Sequence, residues 1–239
     1  MGEGEITVYR DIVILANSRR HDGRCIAGKD LATGEWIRPI NVLGKGKIRL
    51  DQSAFMGEDF ASLSMPKSGP QLLDCVRMGF NKPCGDYCQP ENILINGNKW
   101  AGLSRFPRER ISELIDSPAC CFIGKGDCYS DYYPAATIKK NPLKSSLTLI
   151  RITKDENKSE IVHTTSKMGK PQNRLKFEYD SRPYNLVITD KTYEDSVVLS
   201  QNDDAKILED CYITIGVGEV FPLGDTLLHY RFIVGIIPA

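Results

Sequence analysis

Apolar residues in this chain come in short runs broken by Gly, Pro, Asn, Asp and Ser. The run Ile12, Val13, Ile14, Leu15 is too short for a buried helix and rich in β-branched side chains, so it predicts a strand over residues 6–17. The polar stretch 18–23 predicts a loop, leading into a second strand over 24–31. Ala32, Thr33 and Gly34 predict a hairpin turn into a third strand over 35–40. Three successive strands with a tight turn make a meander, the usual first half of a small barrel. A further strand is expected over 72–80, and a loop over 64–70, where Pro and Gly punctuate the chain.

One helix is expected in the middle. Pro107 stands near its start, Ile111, Leu114 and Ile115 share one face, and Asp116, Ser117 and Pro118 end it. Residues 124–140 are polar, aromatic and turn-rich, and are expected to link two halves. The second half repeats the strand theme: 147–153 and 160–164 alternate around a polar turn at 154–159. Strands follow over 174–179 and 184–189, with a short helix near 190–196. Residues 211–218 and 228–237 close the chain as a strand pair around 222–225. Ten short strands and one or two short helices predict a mainly β protein of two barrel-like halves, at 1–136 and 137–239.

Composition narrows the class. The chain has 239 residues, 41% hydrophobic and 26% charged, which excludes disorder as the main state. No apolar run approaches the roughly 18 residues that a membrane-spanning helix needs. The first ten residues carry Glu3 and Glu5 and no apolar stretch, so they do not read as a signal peptide. The eight cysteines are therefore expected as reduced thiols or metal ligands in a cytoplasm.

Net charge is zero, yet the charges are segregated. Residues 16–50 hold eight bases against three acids, and 137–176 hold ten against three. Residues 178–210 then hold nine acids against three bases. Basic blocks of this kind attract phosphates; the alternative is that each is a solvated face neutralised by the acidic block beside it.

The motifs Ile14-Leu-Ala-Asn-Ser-Arg-Arg20, Gly23-Arg-Cys-Ile-Ala-Gly28 and Trp36-Ile-Arg-Pro39 resemble the opening of the bacterial dual OB-containing domain family. Gln89-Pro-Glu-Asn92 with Trp100, and Tyr184-Asn-Leu-Val-Ile-Thr-Asp190, resemble it too. So do Gly216-Val-Gly-Glu-Val-Phe221 and the last strand through Arg231-Phe-Ile-Val-Gly-Ile-Ile237. The resemblance spans nearly the whole chain. It implies two tandem OB-type folds and a bacterial, cytoplasmic setting linked to mobile-element or defence genes, and it carries no enzyme activity.

The first interstrand segment is the richest in candidate chemistry. Asn17, Ser18, Arg19, Arg20 and Arg24 offer guanidinium forks and small polar groups suited to phosphate oxygens, beside what would be the oligonucleotide face of an OB fold. Alternatively Asn17 and Ser18 cap a turn, and the arginines pair with Asp22 and Asp30. Trp36 and Arg38 share one strand face, either for base stacking or as core and internal pair. Gln89, Glu91, Asn92 and Trp100 could line a nucleotide pocket or simply cap the next strand. Cys84, Cys88, Cys120 and Cys128 are the candidate zinc ligands, with imperfect spacing against buried free thiols.

No Gly-x-Ser-x-Gly elbow, His-Glu-x-x-His or Walker A loop occurs, and the three histidines leave imidazole chemistry few candidates. Glu156-Asn-Lys158 imitates one element of a nuclease site but falls in a predicted turn. The expectation is a tandem OB-fold module that binds single-stranded or structured nucleic acid, without cofactor, metal or catalytic centre. The rivals are a nucleotide or modified-base sensor, and a protein-interaction subunit docking through residues 178–210.

Overall fold

The computed structural model describes residues 7–20, 23–41, 70–117, 131–166, 169–200 and 210–239, with residues 20, 23 and 197–200 described through the backbone alone. The chain divides into two compact units: Met1–Asp86 with Glu91–Arg110, and Tyr87–Pro90 with Ile111–Ala239.

The first unit is built on β1 (Val8–Arg20), β2 (Gly23–Asp30), β3 (Trp36–Ile40), β4 (Asp74–Pro83), β5 (Asn92–Ile95) and β6 (Ala101–Arg105). Hydrogen bonding runs β1-β2-β3-β5-β4 and returns from β4 to β1, closing a five-stranded barrel. Every pairing is antiparallel except β3 with β5, which is parallel. This is the strand arrangement of an OB-type Greek-key barrel.

Closure depends on β1 serving two neighbours. Its first part pairs with β4 from Val8 to Val13, and its later part pairs with β2 from Ile12 to Arg20. A bulge between Ile14 and Ala16 bends the strand where it changes partner. Residues 12–18 are all buried, so both faces of β1 are covered here. Gly28 sits against this bend: a Cβ there would lie 2.0 Å from the Val13 carbonyl oxygen. The β2–β3 turn is fixed by Asp30, whose Oδ1 accepts from Ala32 N at 2.8 Å, and by Gly34 at φ +72°. Ile12, Ile14, Ile26, Ile37, Val76, Met78, Phe80 and Trp100 are among its buried core residues.

The second unit contains β7 (Tyr132–Pro134), α1 (Ala135–Lys140), β8 (Leu147–Ile152), α2 (Lys154–Asn157), β9 (Glu160–Thr165), β10 (Pro171–Tyr179), β11 (Arg182–Ile188), α3 (Lys191–Ser200), β12 (Cys211–Leu223) and β13 (Thr226–Pro238). Its sheet runs β8-β12-β13-β11-β10-β9, with β7 added on β13 and with β11 and β13 parallel. The order matches the first unit if the place of β1 is shared by β8 and β9. Where β1 pairs both β4 and β2, here β8 pairs β12 and β9 pairs β10. The break is α2, capped by Thr153 and ended by Lys158 in the left-handed region. No pairing joins β8 to β9 among the described residues. Asp190 starts α3, accepting from Thr192 N and Tyr193 N, and its other oxygen accepts from Ile236 N of β13 at 2.7 Å. The core packs Ile150, Ile152, Leu175, Phe177, Leu186, Ile213 and Ile233.

The protein is mainly β, with thirteen strands among the described residues rather than ten. The unforeseen ones are β5, β6 and β7. Helix is more frequent than expected, with α1, α2, α3 and a 3-10 helix at Arg108–Leu114 in place of one or two. The polar stretch at 18–23 is not an open loop, because β1 continues to Arg20 and β2 begins at Gly23. The expected turn at 154–159 holds α2. The expected loop at 64–70 falls almost wholly outside the described residues. Among the described residues no helix is long and apolar enough to cross a membrane.

Candidate nucleic-acid interface

The β1–β2 hairpin carries the arginines singled out from sequence. Arg19 and Arg24 are direct cross-strand partners, and Arg20 ends β1 opposite Gly23. Directly opposed residues of an antiparallel pair project to one face, and like charges there repel. Arg19 is exposed and Arg24 half-buried. The register thus sets two arginines at one position near the end of the first hairpin.

Asn17 lies two residues before Arg19, hence on the same face. It is buried, and its Nδ2 donates to the Pro70 carbonyl at 2.7 Å. Its Oδ1 has no hydrogen-bond partner among the described residues. Ser18 is buried as well. Asn17 and Ser18 therefore anchor the hairpin within the barrel wall.

Trp36 and Arg38 are drawn into the fold. Trp36 is buried, with the Lys29 ammonium 5.4 Å from its ring centroid across the β2–β3 pairing. Arg38 Nε lies 3.2 Å from Glu91 Oε1, both side chains buried, and Arg38 N donates to the Glu91 carbonyl. Asn92 stands beside Arg38 in the β3–β5 register, and Trp100 is fully buried. Gln89 belongs to the second unit, where its Nε2 donates to the Val217 carbonyl at 3.0 Å. The four residues suggested for a nucleotide pocket are all buried, and Gln89 and Glu91 make bonds that hold their own units together.

Cys88 also belongs to the second unit. His229 Nδ1 lies 2.9 Å from the Gly218 carbonyl oxygen, which can only accept, so the proton sits on Nδ1. Nε2 then accepts from the Tyr87 hydroxyl at 3.2 Å. Cys88 Sγ lies 3.2 Å from Nδ1 and donates to the same Gly218 carbonyl at 3.5 Å. Both Cys88 and His229 are shut off from solvent, so the trio is a buried clamp. Cys84 is half-buried, its thiol held above its ordinary value by burial. Cys120 and Cys128 lie outside the described residues. Among the described residues no three His, Cys, Asp or Glu side chains gather as metal ligands.

One feature was not visible in the sequence pattern. An open groove in the first unit is lined by Tyr9, Arg10, Asp11, Asp30, Leu31 and Arg77. Its cations are matched internally, Arg10 with Asp30 at 3.2 Å and Arg77 with Asp11 by two bonds of 2.7 and 2.8 Å. Arg77 holds the Asp11 carboxyl below its ordinary range. Tyr9 remains exposed, accepting one bond from Asn98 Nδ2.

The later basic block is partly neutralised. Arg151 pairs with Asp210 at 3.0 Å, Lys158 with Glu178 at 2.8 Å, and Arg174 with Asp131 at 2.6 Å. Asp210 and Glu178 come from the acidic stretch, so part of the segregation seen in sequence is resolved by pairing within the second unit.

Comparison with known proteins agrees with the topology. A model of the dual OB-containing domain family matches residues 10–236. No curated protein matches the chain. With a closed barrel of OB strand order in its first unit and a family match along almost its whole length, the chain belongs to the dual OB-containing domain family.

Proposed function

We propose that the chain is a nucleic-acid-binding OB module that takes single-stranded or structured nucleic acid through the β1–β2 hairpin. The observation that supports it is the direct cross-strand opposition of Arg19 and Arg24. Two guanidinium-bearing side chains at one register position can share a phosphate through charge-assisted hydrogen bonds. The first interstrand connection of an OB barrel borders its oligonucleotide face, which puts this pair where a backbone would run. Asn17 and Ser18 position the hairpin from within. Trp36 and Arg38 shape the barrel beneath it and do not touch the ligand.

The test is fluorescence anisotropy of the full chain with a mixed-sequence single strand, a stem-loop and a duplex, across a range of salt. Micromolar or tighter binding to the single strand or stem-loop, weakening linearly in log–log salt dependence, is the expected result. Absence of binding at low salt, or preference for the duplex, overturns the proposal.

A further inference from the structure

The far end of the β12–β13 hairpin leaves its sheet. β12 pairs with β8 only from Cys211 to Gly216, while its pairing with β13 continues to Leu223 and Thr226. Beyond residue 217 the two strands therefore form a ribbon, buttressed on β13 by β7 at Leu228, His229 and Tyr230. Four large apolar side chains on this ribbon are about half exposed: Val220 at 45%, Phe221 at 50%, Leu223 at 47% and Leu227 at 49%. The register divides them between both faces. Phe221 and Leu223 lie on one, and Val220, Pro222 and Leu227 on the other. A solvated ribbon would keep at least one face polar.

We propose that this ribbon is a docking element that inserts into an apolar groove of a partner protein whose rim carries Lys or Arg. Charge supplies the commitment to that occupant. Residues 211–230 contain no Lys or Arg, and the ribbon carries Glu219 and, at its tip, Asp225. A phosphate backbone is repelled by such a surface. Two copies meeting ribbon to ribbon would bring like carboxylates together. An apolar groove with a basic rim matches both properties.

Ring contacts brace the ribbon, and an element ordered before binding docks at a lower entropy cost. Phe221 packs edge-on to Tyr230 at 5.9 Å, and Tyr230 in turn contacts Tyr132 and Phe232. Recognition proceeds through side chains, because Pro222 and the bulge between Val217 and Val220 blunt the β12 edge against strand addition. The ribbon belongs to the second unit and the β1–β2 hairpin to the first, and the two readings rest on different observations.

The experiment pans the immobilised full chain against a phage-displayed library of a small groove-bearing scaffold domain with randomised groove and rim positions. Wild type, Leu223→Asp and Asp225→Lys are compared, with circular dichroism confirming that each exposed-site variant is folded. Wild type is expected to enrich clones that combine an aromatic or aliphatic groove with Lys or Arg at its rim. Leu223→Asp should lower their recovery at least tenfold, and Asp225→Lys should shift the enriched set toward Asp and Glu. Enrichment that is absent, or the same for all three proteins, overturns the proposal. So does ultraviolet crosslinking of an iodouracil-bearing single strand to Phe221 or Tyr230, or a dimer in light scattering that Leu223→Asp abolishes.

Discussion

Arg38 of β3 and Glu91, the residue before β5, form a buried ion pair, Nε to Oε1 3.2 Å apart, with side chains only 8% and 4% exposed. The pair ties the strand that completes the meander to the short strand that closes the barrel. Desolvating two charges costs several kcal/mol, recovered only while both are present. Arg38→Ala should therefore destabilise the protein by about 3–5 kcal/mol, through a stranded carboxylate. Replacing both, as Arg38→Met with Glu91→Leu, should recover most of that loss. Urea denaturation of the three variants decides it. If Arg38→Ala leaves stability unchanged while weakening oligonucleotide binding, Arg38 belongs to the ligand surface instead.

Gly28 is required by a close approach. An added Cβ would meet the Val13 carbonyl oxygen at 2.0 Å and Ile12 Cγ2 at 2.8 Å, and the first of these is backbone. Gly28→Ala must push β2 off the bend of β1, at a cost of at least about 2 kcal/mol. Gly34 is the matched control, with φ +72° and open space around its Cβ position. Gly34→Ala carries only left-handed strain of about 1 kcal/mol. Thermal melts should rank Gly28→Ala well below Gly34→Ala; the reverse order would show that the barrel relaxes around the extra carbon.

The strands that could be read from sequence are those whose apolar pattern is self-sufficient. Ile12–Val13–Ile14–Leu15 announces β1, and the pair β12 and β13 announces itself by length. The strand that closes the barrel could not be read that way. β5 spans four residues, Asn92–Ile95, and its pairing is set by neighbours distant in sequence. The site was harder still. Arg38 could be read either as a ligand contact or as half of an internal pair, because its partner Glu91 is far along the chain and the ion pair exists only after β5 docks. Gln89 and Glu91 are two residues apart in one motif and belong to different units, a division that no local pattern marks. Phe221 and Leu223 fell outside the strand expected at 211–218, Leu223 in the expected turn at 222–225, because the turn signal of Pro222, Gly224 and Asp225 ends a local pattern before the ladder of β12 with β13 ends. Arg19 and Arg24 could be set near one another from sequence because few residues separate them, but not as partners in one ladder, since the polar stretch between them reads as a loop.

The hairpin arginines give a quantitative expectation. Each phosphate contact to a single strand contributes about 0.7 to the log–log salt slope. Replacing Arg19, Arg20 and Arg24 by Ala should flatten that slope by roughly two and weaken binding at low salt. Stability should change by less than about 1 kcal/mol, since exposed charges contribute little. Anisotropy titrations at several salt concentrations, with a melt as control, read all three quantities. Unchanged affinity and slope would remove the hairpin from the interface, and unfolding of the variant would make the arginines structural.

Asp190 makes stability depend on pH in the direction opposite to a surface carboxylate. It is fully buried at the start of α3, and burial pushes its pKa from 3.8 up to about 6, against the lowering effect of the three backbone N–H groups it accepts from. The nearby Glu194 adds to the rise. A carboxyl with a raised folded-state value binds its proton more tightly when folded. Its favourable contribution is thus complete below pH 3.8 and is lost as pH climbs through 6. The shift of 3.8 to about 6 corresponds to about 3 kcal/mol. Asp11, held low by Arg77, changes in the other sense but lies near the surface, where its effect is small. Asp190→Asn isolates the buried group, since it keeps the Oδ1 cap and cannot titrate. The variant loses the acceptor for Ile236 N and should be less stable than wild type at pH 4. Between pH 4 and pH 7 that deficit should shrink by about 2 kcal/mol, because wild type then bears a buried charge and the variant does not, the rest of the loss falling below pH 4. Guanidinium denaturation of both proteins between pH 4 and pH 7 measures the difference directly. A deficit that stays constant across this range would mean that the three amide donors fully offset the desolvation of the Asp190 carboxylate.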